Sequence, residues 1–141
     1  MATIPMRRGG YPDWPAILAP YGFNQPTLNG NLKWRDVRFI YFVQCDQLTK
    51  VGLANNVKQR LHDLRLGSPR GLYLRGTRAV PRVLAMQIEK RIHAALKEHA
   101  IGREWFRILP ALARREAQPV IDRAWAAYDR LTELGFASEL R

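Results

Sequence analysis

The sequence is short of cysteine and of long apolar runs. A single cysteine, Cys45, stands among 141 residues, which excludes a disulfide framework within the chain and a cysteine-rich zinc site. No apolar run approaches the roughly 20 residues that a membrane helix needs. The first residues, MATIPMRRGG, lack the apolar stretch of a secretory signal. We therefore expect one compact, cytoplasmic domain that is not secreted and has no membrane partner.

Acidic residues are also few. Twelve Asp and Glu face 23 Lys and Arg, for a formal net charge of +11. The excess is local, because residues 57–107 hold twelve basic and four acidic residues, whereas residues 108–141 hold five of each. Eighteen of the basic residues are arginine, whose planar fork pairs two hydrogen bonds with a phosphate. This distribution predicts a nucleic-acid partner, although a merely solubilising surface is the alternative. The candidate nucleic-acid-binding residues are Arg65, Arg70, Arg75, Arg78, Arg91 and Arg103.

Three segments differ in composition. Residues 1–37 mix many Pro and Gly with aromatic side chains, which predicts an arm packed on the core with a short helix at 14–18. Residues 38–108 form the predicted central domain. Residues 109–141 predict a C-terminal helical extension that is broken or kinked near Pro119.

The central segment predicts an α/β (α+β) fold, in which a small, mostly antiparallel three-stranded sheet is flanked by helices. Apolar and β-branched runs indicate the strands, and apolar residues at spacings of three and four indicate the helices. Residues 105–108 are extended and apolar, as in an edge strand. The predicted strands are 39–43, 48–53 and 72–80, and the predicted helices are 57–66 and 81–99.

Several residues could carry phosphodiester chemistry, which needs a metal ligand, a cation for the phosphate and a group that handles water. The predicted hairpin and first helix offer Tyr41, Lys50 and Arg60. Glu89 and His93, four residues apart on a helix, project from one face. One carboxylate with waters suits magnesium, whereas Glu and His together could hold a transition metal. Taken singly, each residue also has an ordinary structural explanation, as core, solvated surface or exposed pair.

The order of these residues resembles a known family. Phe39-Ile40-Tyr41, then Lys50-Val51-Gly52, then Arg60 resembles the core of the GIY-YIG nucleases, with Phe39 in place of the first glycine and Lys50 in place of the second tyrosine. Residues 88–93 and 102–106 resemble a branch common in phages and bacteria, which has a Glu-x-x-x-His helix and a terminal Glu-Trp-Phe.

The resemblance implies a metal-dependent endonuclease that hydrolyses DNA phosphodiester bonds, with residues 38–108 as its nuclease domain. Tyr41 would orient or deprotonate the attacking water or contact the phosphate, and Lys50 would assist the base or bind phosphate. Arg60 would stabilise charge on the scissile phosphate. Glu89 would hold one divalent ion, Mg²⁺ or Mn²⁺.

Three further residues match positions of the family with accessory roles. Gly52 would let the backbone come close to the hairpin partner or to the substrate, while His93 and Glu104 match positions specific to the branch. The expected setting is a bacterial or phage-infected cell, and DNA is preferred to RNA as the partner.

Two other functions stay open. One is a non-catalytic nucleic-acid-binding module of the same fold. The other is a protein-interaction subunit, in which the C-terminal helix makes a homodimer or binds a partner through Trp125, Tyr128 and Leu131; that face could equally cover the domain's own core.

Overall fold

An antiparallel sheet with helices on both of its faces forms the centre of the fold. The computed structural model describes residues 3–28 and 32–139. In chain order the elements are β1 (Met6–Arg7), β2 (Tyr11–Pro12), α1 (Trp14–Leu18), β3 (Val37–Cys45), β4 (Leu48–Ala54), α2 (Val57–Leu66), β5 (Tyr73–Pro81), α3 (Ala85–Ala95), β6 (Trp105–Phe106) and α4 (Pro110–Glu133).

The main sheet has the strand order β5-β3-β4-β6, with every neighbouring pair antiparallel, and β1 and β2 form a separate small hairpin. This confirms the predicted α/β class and the antiparallel sheet flanked by helices. The predicted three strands are β3, β4 and β5. The short β6 adds a fourth strand, which pairs with β4 only at Thr49 and Lys50.

The register of the β3–β4 hairpin decides which side chains share a face. Asp46 turns the chain with φ 53°, a left-handed conformation that Asp tolerates better than most residues. Across the hairpin Tyr41 pairs with Gly52, and Val43 pairs with Lys50. Directly opposed residues of an antiparallel pair point to the same side. Tyr41, Gly52 and Lys50 therefore lie on one face of the sheet.

Each face of the sheet has its own core. Ile40, Phe42 and Val51 are fully buried on the face covered by α3, α4 and the N-terminal segment. On the other face Tyr41 packs with Leu61 of α2 in a smaller cluster. The alternation of these residues along β3 is the period of two expected for a strand with both faces buried.

The segment before β3 is fixed by packing. Leu18 and Phe23 are buried in the larger core. Trp34 stacks on Tyr128 of α4 with ring centroids 5.0 Å apart, and its Nε1 donates to the Thr132 hydroxyl at 2.9 Å. These contacts attach a Pro- and Gly-rich segment to the far end of the chain.

Of the predicted break or kink near Pro119, the break is wrong, because α4 is continuous over 24 residues with Pro119 inside it. Pro119 is exposed, whereas Ala117 and Val120 beside it are buried. Packing of the apolar face against the core therefore keeps the helix continuous, although proline removes one of its backbone hydrogen bonds.

The apolar face of α4 covers the protein's own core. Leu131 is fully buried, Tyr128 stacks on Trp34, and Trp125 Nε1 donates to the carbonyl oxygen of Ala79 at 3.1 Å. This bears out the view that these side chains cover the domain itself, and a homodimer through this helix stays a prediction. No helix within residues 3–28 and 32–139 is long and apolar enough to cross a membrane.

Replacing Trp34 with alanine should lower the free energy of unfolding by about 3 kcal/mol, because it removes a buried aromatic side chain and its hydrogen bond. Urea denaturation measures the change. Tyr11→Ala is the control, since Tyr11 is 71% exposed, and it should cost about 0.5 kcal/mol or less. Equal effects of the two substitutions would contradict the role given to Trp34.

Candidate active site

Tyr41 and Arg60 meet on the face of the sheet covered by α2. Tyr41 is 2% exposed. Helix α2 begins after Asn56, whose side chain accepts from the backbone N–H of Gln59 at 3.0 Å, a typical N-cap. Arg60 follows one turn later, and a hydrogen bond between its side chain and Tyr41 raises the pKa of Arg60. The structure therefore brings together a phenol and a guanidinium.

Gly52 makes room for the Tyr41 ring. A Cβ added to Gly52 would overlap the phenol oxygen and the adjoining ring carbons of Tyr41. The ring thus lies directly over the backbone of β4, an approach that only glycine permits. The accessory role predicted for Gly52 corresponds to this contact.

Lys50 is held in an ion pair on the same face. It is 7% exposed, and its Nζ lies 2.5 Å from Glu104 Oε2 and 5.5 Å from the centroid of the Trp105 ring. Pairing of Lys50 with Trp105 and a hydrogen bond from Val51 N to Glu104 O at 3.0 Å fix the backbone around Glu104. Buried charges are stable in proteins when they are paired in this way.

Glu89 lies half-buried on α3, within the electrostatic influence of several charged side chains. Burial raises the pKa of its carboxyl group above the usual range, and the charge of Glu104 adds to this, whereas His93, Arg38 and Lys50 lower it. The net shift is upward, so these cations do not fully compensate the buried carboxylate.

His93 fixes this flank of α3 against β4. Its Nε2 donates to the carbonyl oxygen of Val51 at 2.8 Å, and its ring centroid lies 5.3 Å from that of Phe106. Both contacts involve the edge of the sheet where β6 pairs with β4. His93 thus positions Glu89, one turn earlier, beside that edge.

Arg38 is a residue of this site that the sequence analysis missed. Its Nε is buried and has no hydrogen-bond partner in the described part of the chain. Burial and the charge of Arg82 lower the pKa of Arg38, whereas the charge of Glu89 raises it. The alternation of side chains along a strand could have indicated this residue. Arg38 lies on the same face of β3 as Ile40 and Phe42, so it places a guanidinium on an otherwise apolar face.

The six arginines predicted to bind nucleic acid are dispersed over the surface. Arg65 donates from Nε and Nη2 to the carbonyl oxygen of Leu72 at 3.2 and 3.0 Å. Arg70 pairs with Asp46 at 2.7 Å beside the hairpin turn. Arg103 is exposed and makes no hydrogen bond or ion pair within the described residues.

Of the other three arginines, Arg75 and Arg78 lie on β5 and Arg91 lies on α3. Arg75 Nε donates to a glutamine side chain of β3 at 2.8 Å, and Arg78 Nε donates to a glutamine of α4 at 3.2 Å. Arg91 donates from Nε to the carbonyl oxygen of Gly22 at 3.0 Å. The six arginines thus lie on α2, β5, α3 and two loops, and their role in binding nucleic acid stays a prediction.

Comparison with known protein families identifies the chain. Residues 38–124 match the T5orf172 domain, so the chain belongs to the T5orf172 domain family. This family is related to GIY-YIG-like, nuclease-like phage proteins, and membership suggests a nuclease-like or DNA-binding module. No curated protein and no solved structure matches the chain.

The donor set suits a lightly coordinated, hard cation. In residues 3–28 and 32–139 no three or more His, Cys, Asp or Glu side chains form a group that could hold a metal ion, as a structural zinc site would require. Mg²⁺ commonly binds through one or two carboxylates and keeps several waters. Glu89 is such a carboxylate, and its incompletely compensated charge fits a cation beside it.

Gly52→Ala should destabilise the protein by about 1–3 kcal/mol, since the new methyl group must displace the Tyr41 ring in a packed core. Urea denaturation measures the loss. The matched control is Gly102→Ala, where a Cβ meets no atom within 4 Å. If both variants were equally stable, the close contact of Tyr41 with Gly52 would be wrong.

Glu89→Gln should raise the melting temperature at pH 8 when no divalent cation is present. The folded-state pKa of Glu89 lies above its unfolded value, so its ionised form costs stability at high pH, and wild type regains that stability as pH falls through the folded pKa. The advantage of the variant should therefore shrink on acidification. The exposed Glu98 supplies the control, Glu98→Gln. A variant less stable than wild type at pH 8 contradicts the prediction.

Proposed function

We propose that this protein is a GIY-YIG-type endonuclease that hydrolyses DNA phosphodiester bonds with one divalent cation, Mg²⁺ or Mn²⁺. The observation that carries the proposal is the placement of Tyr41 and Lys50 on one face of the β3–β4 hairpin, with Arg60 of α2 beside Tyr41 and Lys50 paired with Glu104. The charge of Glu104 also raises the pKa of both Arg60 and Glu89, which connects this face electrostatically with Glu89. Family membership supports the same class of function.

In this proposal Tyr41 and Arg60 act as a pair. The phenol oxygen of Tyr41 positions the attacking water, and the guanidinium of Arg60 binds a non-bridging oxygen of the scissile phosphate. Arg60 is exposed and free to take a phosphate, and its hydrogen bond to Tyr41 holds the two groups side by side. Such fixed donors stabilise the charge that develops at phosphorus.

Lys50 and Glu89 complete the proposed machinery. Lys50 adds a positive charge, and its pairing with Glu104 at 2.5 Å keeps its ammonium group in place. Glu89 would hold the divalent cation with waters in the remaining positions, and a cation there supplies Lewis-acid polarisation of the phosphate. His93 keeps Glu89 in position through its hydrogen bond to Val51.

Arg38 joins the proposed phosphate contacts. A guanidinium whose buried Nε has no partner is costly unless something binds it. Because Arg38 is close enough to Glu89 for the two charges to interact, the Arg38 guanidinium would add positive charge for a phosphate bound beside Glu89.

Plasmid nicking tests the proposal. Wild type should nick supercoiled DNA with Mg²⁺ or Mn²⁺ and not with EDTA. Arg60→Gln should slow cleavage by about 10²–10³-fold, as removal of one transition-state donor does elsewhere, and Glu89→Gln should act similarly. Lys58→Gln is the control on the same helix, since Lys58 is exposed.

A second readout separates metal binding from cleavage. Mg²⁺ should raise the melting temperature of wild type, because a ligand that binds only the folded state stabilises it, and should leave Glu89→Gln unchanged. Salt-dependent DNA binding without nicking, over a range of sequences and metals, would replace the nuclease with the binding module.

A further inference from the structure

Two adjoining clefts lie on the side of α3 that faces the N-terminal segment. Their volumes are about 460 and 370 Å³, and both are lined by Asn24 and Arg91. The larger also contains Arg123 of α4, and the smaller also contains Lys90. We propose that this pair of clefts, here called the arm cleft, binds the backbone phosphates of a nucleic acid away from the scissile bond.

The positive charge of the arm cleft is not balanced by acidic groups. Lys90, Arg91 and Arg123 line it, and no Asp or Glu is among its lining residues. Cations brought together without a carboxylate repel one another in the free protein, and an anion between them relieves that repulsion.

Two guanidinium groups from different helices converge on Gly22. Arg91 of α3 donates from Nε to the Gly22 carbonyl oxygen at 3.0 Å. Arg123 of α4 has its Nε 4.0 Å from the position that a Cβ on Gly22 would take. The exposed side chain of Arg123 makes no hydrogen bond or ion pair within the described residues, so its donors are available to a ligand. Guanidinium groups with free donors match phosphate oxygens well.

The wall of the arm cleft is built and fixed. Gly22 has φ 85°, a left-handed conformation that ends the preceding 3-10 turn, and the next residue, Phe23, is 4% exposed. Asn24 N donates to Gln87 Oε1 at 2.8 Å, and Gln87 Nε2 donates to the carbonyl oxygens of Asn24 and Gln25 at 3.2 and 2.8 Å. A wall held by α3 itself keeps the cations at a set spacing.

The arm cleft is separate from the proposed active site. Glu89 and Arg91 are two residues apart on α3, which turns their side chains by about 200° around the helix axis. A helix with its side chains is about 10–12 Å across, so the two sites lie on opposite flanks. A strand that touches both must pass around α3. Residues 22–25 also precede the matched segment 38–124, so one wall lies outside the family domain.

DNA binding of Arg123→Gln tests the arm cleft. This inference rests on the nucleic-acid partner of the proposed function but not on cleavage, so the assay uses Glu89→Gln protein in EDTA. Arg123→Gln should weaken binding of a fluorescent duplex about tenfold and reduce the slope of log K against log salt by about one. Arg115→Gln is the matched control, an exposed arginine of the same helix that lines a different cleft.

Further arms of the test separate the ligands. Arg91→Gln should weaken DNA binding to a similar extent as Arg123→Gln. The melting temperature of Arg91→Gln shows whether loss of the hydrogen bond to Gly22 destabilises the fold. Unchanged DNA affinity in Arg123→Gln, with nicking by wild type intact, overturns the arm cleft alone. Stabilisation of wild type by inorganic phosphate, lost in Arg123→Gln while DNA affinity is kept, would assign the cleft to small anions instead. If wild type does not nick DNA but Arg123→Gln weakens DNA binding, the proposed nuclease activity is overturned and the arm cleft is kept.

Discussion

The contact between Tyr41 and Gly52 is the constraint on which the candidate site depends. It exists because the β3–β4 register pairs these two residues and because Gly52 has no side chain to exclude the ring. A slip of one residue would turn Tyr41 to the face covered by α3 and α4. It would also separate the phenol from Arg60. The register of one hairpin therefore determines whether phenol and guanidinium can work together.

The two carboxylates near this hairpin differ in how fully nearby cations balance their charge. Glu104 is matched by Lys50 at 2.5 Å, whereas Glu89 is close to several cations but its pKa is still raised by burial. A protein gains nothing in stability from an undercompensated buried carboxylate. A site that binds a cation needs such a carboxylate. If fixed ammonium or guanidinium groups fully balanced its negative charge, no charge would be left to attract the metal. The imbalance is therefore the feature that separates the nuclease hypothesis from simple binding.

Local patterns predicted much of the fold and of this site. The aromatic run of β3 and the i, i+4 spacing of Glu89 and His93 are short-range signals. Arg38 was missed because it directly precedes the predicted strand 39–43, where an arginine is usually exposed to solvent. The contact of Arg91 with Gly22 spans 69 residues and leaves no local pattern. At Pro119 the burial of the helix face outweighed the local tendency of proline to interrupt a helix.

The formal charge of +11 overstates how many cations a substrate would meet. Of the six arginines predicted to bind nucleic acid, five donate hydrogen bonds to protein acceptors. Such arginines help to hold loops and strands together, and phosphate can reach only the donors they leave free. The exposed side chains of Arg103 and Arg123 make no hydrogen bond or ion pair within the described residues, whereas the unpartnered Nε of Arg38 is buried and out of the reach of solvent. Arg38 is beside Glu89 and Arg123 is in the arm cleft, so under the proposed function one flank of α3 would serve cleavage and the other would serve backbone binding.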